Sequence, residues 1–239
     1  MVILNRKRIS LMLIVIIVGV FTFEYQLAKT ERETMRVTAT PVSSKVVIVD
    51  AGHGTPDEGA ESSNGITEAQ INLKIALKVQ NLLEQSGCTV ILTRSDDNAI
   101  YDIDKDTLRE KKVSDIKNRV KIGNESSADI FISIHLNKIS ESQYYGWQCF
   151  YKNNDENSKR LANTLQSTLN ETIEKTNDRV ALPIKDIYIV EHVEIPISIV
   201  ECGFLSNPEE EKQLQEDEYQ NKLAWGIYNG IINYFYYGE

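Results

Sequence analysis

Short β-branched runs alternate with helical periods from residue 45 to the end of the chain, and this alternation restricts the fold more than anything else in the sequence. Val46-Val47-Ile48-Val49-Asp50 is an apolar run of strand length, the pattern of a strand covered on both faces. Thr67 and Gln70 have the spacing of a capping box and open a helix. Ile71, Ile75, Val79 and Leu82 make one stripe along it, and Gly87 ends it. A second strand is expected over 89–93, then a charged, irregular excursion over 95–112. The pattern predicts a helix over 114–124, with Val113, Ile116, Val120 and Gly123 facing inward. Strands are expected over 130–135, 147–151, 187–190 and 197–201, with a helix over 158–173. Glu209-Glu210-Glu211 after Pro208 reads as an acidic helix start. A closing helix over 219–236 carries Leu223, Ile227, Ile231 and Phe235 in register. The expected fold is α/β, three-layered, with a mainly parallel twisted sheet and helices on both faces.

A different segment precedes this body. Arg6, Lys7 and Arg8 stand before an uncharged apolar run over 9–23. A basic stretch followed by such a run is an export signal. Good small-residue cleavage positions are missing just after it, so an uncleaved anchor is expected, with 9–27 in the cytoplasmic membrane and the body outside. Residues 1–27 are therefore assigned to the anchor, 28–45 to a polar linker and 46–239 to the globular domain. Residues 1–45 hold seven basic and three acidic residues, so of the 26 basic and 35 acidic residues in the chain the body keeps 19 and 32. A body this acidic repels a phosphate backbone, which argues against nucleic acid as a partner. The three cysteines, Cys88, Cys149 and Cys202, form no CxxC pair and are expected as buried thiols.

Polar residues gather where strands end. Strand one runs into Asp50-Ala51-Gly52-His53-Gly54, the third into His135-Leu136-Asn137, and the last into Glu201-Cys202-Gly203-Phe204. Glu68 opens the first helix. In open α/β sheets, sites form at the carboxyl ends of strands. Two imidazoles and one carboxylate are a common catalytic zinc set, with a further position left for water. Taken singly, each residue also has a plain reading: a strand-end polar group, or a carboxylate favoured at a helix N-terminus. Nothing at this level identifies a substrate.

The ordered motifs are more specific than any residue alone. Val49-Asp50-Ala51-Gly52-His53-Gly54, Gly59-Ala60, Glu68 with a helix behind it, and Leu92-Thr93-Arg94 come first. Arg119 with Asn124, Ala128-Asp129 running into Phe131-Ile132-Ser133-Ile134-His135, and Val200-Glu201-Cys202-Gly203-Phe204-Leu205-Ser206-Asn207-Pro208 follow. The chain resembles zinc-dependent N-acetylmuramoyl-L-alanine amidases of the amidase_3 family. The resemblance implies that His53, Glu68 and His135 are ligands of Zn2+ and that Glu201 is the catalytic glutamate. It implies hydrolysis of the amide between N-acetylmuramic acid and L-alanine of the peptidoglycan stem peptide. Ala51, Leu136 and Asn64-Gly65 depart from the usual pattern, and none of them removes a ligand. Cys202 and Lys185-Asp186-Ile187-Tyr188 are similar to the germination-specific, CwlD-type spore amidases. That likeness implies action on spore cortex, between mother cell and forespore, as a step toward muramic-δ-lactam. It leaves room for a regulatory protein partner of unknown identity. Another zinc-dependent wall peptidase or deacetylase, or a non-catalytic wall-binding adaptor, remains as an alternative. His192 and the Tyr144-Tyr145 pair stand apart from the motifs: the first is expected at the surface, and the tyrosines, with Trp147, either stack on sugar rings or pack.

Overall fold

The computed structural model describes residues 15–27, 29 and 40–238. The chain divides into two units, Met1–Thr40 and Pro41–Glu239. In the second, β1 (Val46–Ala51), α1 (Glu68–Gln85), β2 (Thr89–Leu92), α2 (Leu108–Glu125), β3 (Ile130–Asn137) and β4 (Gln148–Lys152) come first. They are followed by α3 (Glu156–Thr172), β5 (Leu182–Ile184), α4 (Tyr188–His192), β6 (Ile197–Phe204), α5 (Pro208–Gln215) and α6 (Asp217–Tyr236). The six strands form one sheet in the order β2-β1-β3-β6-β4-β5. All neighbouring pairs are parallel except β4 with β6.

Each face of the sheet is covered. Val47, Val49, Ile132 and Ile134 point into one apolar layer with Ile71, Ile75 and Val79 of α1, Leu161 and Leu165 of α3, and Leu223, Ile227 and Ile231 of α6. Ile48, Phe131, Ile197 and Ile199 point into the other, against Ile189 and Val190 of α4 and the half-buried Ile116 and Val120 of α2. Each fully buried side chain of this size contributes about 1.5–3 kcal/mol. Double coverage explains why the central strands are apolar at nearly every position. Cys88, Cys149 and Cys202 are free and buried, as their composition suggested.

Four local expectations are corrected. The run over 187–190 is not a strand: residues 188–192 form α4, whose Ile189 and Val190 fill the second layer, while Leu182–Ile184 supplies the edge strand. Strand preference in such a run expresses packing on a pleated surface, and a short helix packs the same side chains here. Helix α2 starts at Leu108, because Thr107 and Glu110 cap it with a reciprocal capping box. Val113 faces outward at 45% exposure, and the buried residues of α2 are Ser114, Asp115, Arg119 and Gly123. The box expected at Thr67 does not form. The first amides of α1 are already taken, Glu68 N donating to Ala60 O at 2.8 Å and Ala69 N to Glu58 O at 3.2 Å.

Residues 15–27 are helical, and their apolar side chains, Val15 to Leu27, are exposed. Among the described residues no helix is long and apolar enough to cross a membrane. The first part of the expected anchor, 1–14, and most of the expected linker, 28 and 30–39, lie outside the described residues.

Candidate active site

Adjacent parallel strands deliver the polar strand ends to one edge. Ala51 pairs with Ile134, and His135 pairs with Glu201, so the loop after β1, the end of β3 and Glu201 of β6 lie side by side. Helix α1 begins there and presents the buried Glu68.

His53, Glu68 and His135 come together, each offering one ligand atom, and these atoms all lie within 4.8 Å of one another. Glu68 Oε1 is 2.9 Å from His135 Nδ1 and 3.3 Å from His53 Nε2. The same carboxylate is held in place by the backbone: Leu136 N donates to Oε1 at 3.0 Å and Ala60 N to Oε2 at 2.8 Å. Burial raises the pKa of Glu68, but hydrogen bonds and charge from His135 and His53 outweigh it and hold it well below the usual carboxylate range. His53 Nδ1 lies 3.0 Å from Asp57 Oδ2. That carboxylate orients the ring and turns Nε2 toward Glu68 and the cluster, the arrangement seen around metal-ligating imidazoles. Burial lowers the pKa of His53, yet the bonds and charges of Asp57 and Glu68 win and raise it to about 9. Two imidazoles and one anionic oxygen at this spacing can hold one metal ion, and the donor set suits zinc.

The loop carrying His53 adopts an unusual path, with His53 itself at φ 61°. Such a conformation persists only where the surroundings impose it. Two buried guanidiniums do so. Arg94 donates to Ala51 O at 2.9 Å and to Gly52 O at 3.1 Å. Arg119 donates to Ala51 O at 2.8 Å and to His53 O at 2.6 Å. Arg119 is paired with Asp50 and, at 2.7 Å, with Asp115. Asp50 also accepts from Thr93 and Ser133, both at 2.6 Å. Burial works against the charge on Asp50, but Arg119, Ser133 and Thr93 keep its pKa below normal.

Gly52 is required by a close approach. A Cβ there would lie 2.4 Å from the His135 ring. Gly52→Ala should displace that ring and lower metal affinity at least about tenfold, the order found when metal-site orientation is lost. Titration with zinc checks it; unchanged affinity would contradict the packing argument.

Glu201 is placed differently from the cluster. Its Oε2 is buried and has no hydrogen-bond partner. Burial raises its pKa to about 7, with the nearby Glu68 adding to the rise and His135 and His53 opposing it. A half-buried carboxyl with one sequestered oxygen, beside a cation-binding cluster, can accept and return a proton. Cys202, next in the chain, is buried in the apolar layer, and desolvation pushes its thiol well above the normal range. That environment excludes it as a thiolate nucleophile. His192 is exposed and stacks on Tyr188, apart from the cluster, and Trp147 is buried in the core.

Asp57 and Asp115 escaped the sequence reading, and Asp50, Arg94 and Arg119 appeared only as strand-end or motif positions without a role. Asp57 follows His53 by four residues, a spacing that could have drawn attention to it. No local pattern marks the buried network, whose members are spread over 84 residues from Asp50 to Ser133.

Comparison with known proteins accords with this geometry. The family Amidase_3, N-acetylmuramoyl-L-alanine amidase, matches residues 47–233. The germination-specific N-acetylmuramoyl-L-alanine amidase of Bacillus subtilis (strain 168) is 35% identical over 219 residues, 92% of this chain and 91% of that one. The structure of the CwlD amidase from Clostridioides difficile, in complex with the GerS lipoprotein, is similar at TM-score 0.79 and 44% identity, covering 81% of this chain and 100% of that chain. An N-acetylmuramoyl-L-alanine amidase from Clostridium difficile 630 is similar at TM-score 0.70 and 33% identity, over 80% of this chain and 97% of that chain. With the family pattern spanning the whole sheet and its polar edge, the chain belongs to the Amidase_3 family of N-acetylmuramoyl-L-alanine amidases.

Proposed function

We propose that this amidase is a zinc enzyme of the spore cortex, with His53, Glu68 and His135 as metal ligands and Glu201 as the proton-transfer group. The observation that carries the reading is the buried Oε2 of Glu201, without a partner among the described residues, next to a His-Glu-His cluster, since a buried polar oxygen left unpaired calls for an explanation. Zinc, when bound, polarises the scissile carbonyl and acidifies water. The protein supplies the rest. Asp57 fixes the tautomer and direction of His53, the backbone amides of Leu136 and Ala60 fix Glu68, and Arg94 and Arg119 hold the loop between. Glu201 takes the proton of the attacking water and returns it to the amine of the departing L-alanine.

The cortex assignment rests on similarity to the germination-specific amidase and to CwlD. In that setting, removing the stem peptide from muramic acid is a step toward muramic-δ-lactam. The solved CwlD complex supports a protein partner for this chain as well. The basic residues before 9–23 and the exposed apolar helix over 15–27 support export and an anchor over 1–27, a linker over 28–45 and a catalytic domain over 46–239. Mass spectrometry of cortex digested by the full chain should show peptide-free muramic acid and stem peptides with a free N-terminal L-alanine. Release should stop with chelator and return with zinc. Peptides cleaved elsewhere, or release indifferent to chelator, would refute the reading.

A further inference from the structure

A cavity of about 350 Å³, lined by the segments 143–145 and 176–179, opens beside Tyr144, Tyr145 and Arg179. It lies at the catalytic edge of the sheet. Strand β4 runs antiparallel to β6 with Gln148 opposite Glu201, so the residues just before β4 lie beyond the carboxyl end of β6. There Tyr144 faces Phe204, ring centroids 6.5 Å apart, and the Arg179 guanidinium lies over the same Phe204 ring, 5.0 Å from its centroid.

Phe204 is three residues past Glu201, which in a regular strand would put it on the opposite face. The pairing has a bulge: His135 is opposite Glu201, but Asn137, two residues on, is opposite Phe204. Two residues against one reverses the alternation. Phe204 therefore shares the face of His135 and Glu201, and since the stretch matches two residues of β3 it lies about 7 Å along the edge.

Arg179 is held ready there. It donates to the carbonyl of Tyr145, and its own amide donates to Asn177 Oδ1 at 3.3 Å. The turn at Gly146, φ 91°, allows the packing, since a Cβ there would lie 3.1 Å from the guanidinium. The nearby Lys175 has Glu210 at 3.7 Å, but no carboxylate among the described residues forms an ion pair with Arg179. A carbonyl and an aromatic face leave its positive charge unneutralised in an acidic body.

We propose that Arg179, with Tyr144 as a wall, forms a subsite for a carboxylate on the stem peptide. This rests on the amidase reading above. The residue after L-alanine in the stem bears a carboxylate. Two extended residues span about 7 Å from the scissile amide, so this carboxylate falls within reach of a guanidinium just beyond Phe204. Guanidinium and carboxylate match as a planar, bidentate pair.

The test uses the zinc-supplemented full chain and two muropeptides, one with that carboxylate free and one with it amidated. Arg179→Gln should raise KM for the free-carboxylate substrate about 10–100-fold, the usual worth of a charged hydrogen bond, with kcat unchanged. KM for the amidated substrate should not move, and Arg179→Lys should recover part of the loss. An equal rise for both substrates would show that Arg179 merely shapes the loop, and no rise would remove the subsite. Calorimetry with the free stem peptide separates this from the amidase reading itself. If wild type cleaves neither muropeptide, that reading falls. Peptide binding lost in Arg179→Gln would still support the subsite, and equal binding would overturn it.

Discussion

Glu201→Gln should reduce turnover by roughly 10²–10⁴-fold, the usual contribution of a positioned acid–base group, while leaving fold and bound zinc intact. The amide keeps the shape of the carboxyl but cannot accept a proton. Glu68→Gln should behave differently, because it removes the one anionic donor of the cluster, whose Oε1 sits 2.9 Å from His135 and 3.3 Å from His53. Zinc content and release of L-alanine-terminated peptides, measured on both variants, separate the two roles. If Glu201→Gln loses zinc as readily as Glu68→Gln does, Glu201 is a ligand and the assignment is wrong. The same pair gives a pH signature in metal-free protein. With the Glu201 pKa raised from 4.5 to about 7, the folded state prefers the protonated acid. Stability is full below the unfolded pKa and falls as pH rises toward 7. Glu201→Gln should escape that fall, so its melting temperature should exceed that of wild type increasingly over this interval. Equal melting profiles would show that Glu201 is not desolvated.

Arg119→Met should destabilise the protein by about 3–5 kcal/mol, the cost of breaking a buried ion pair by removing one partner. Arg119 is 3% exposed and Asp50 1%, so neither charge has water to fall back on. Its loss leaves Asp50 with only two hydroxyls and leaves the carbonyl of His53 without its donor. Denaturant unfolding of zinc-free protein measures the first effect. Zinc titration measures the second, which should weaken because the left-handed backbone at His53 has lost a restraint. Arg119→Lys should recover little of either, since an ammonium cannot reach Asp50, Asp115 and two carbonyls together. A loss below about 1 kcal/mol would mean that the network relaxes around the gap or fills with water.

Four residues of the proposed reaction centre could be singled out before any fold was known, because a parallel sheet brings its strand ends to one edge and the ordered motifs there resemble a family. His53, His135 and Glu201 follow apolar runs that admit hardly any reading but a covered strand, and Glu68 opens the next helix. The same logic made β1, β3, β6 and α6 legible: their side chains face apolar layers, so burial and hydrophobicity coincide. It failed where burial is polar. In α2 Ile116, Val120 and Gly123 do face inward, but Val113 is exposed and the most buried side chains are Ser114, Asp115 and Arg119, which no apolar stripe marks. It failed too at 187–190, where one β-branched run suits a strand or a short helix equally, and at Thr67, whose capping task was taken by carbonyls of the preceding loop. Local periodicity records which residues avoid water. It does not record which polar groups find partners far along the chain, and only the assembled sheet decided that Asp50 meets Arg119, that Asp57 turns His53, and that a bulge in β6 brings Phe204 to the catalytic face.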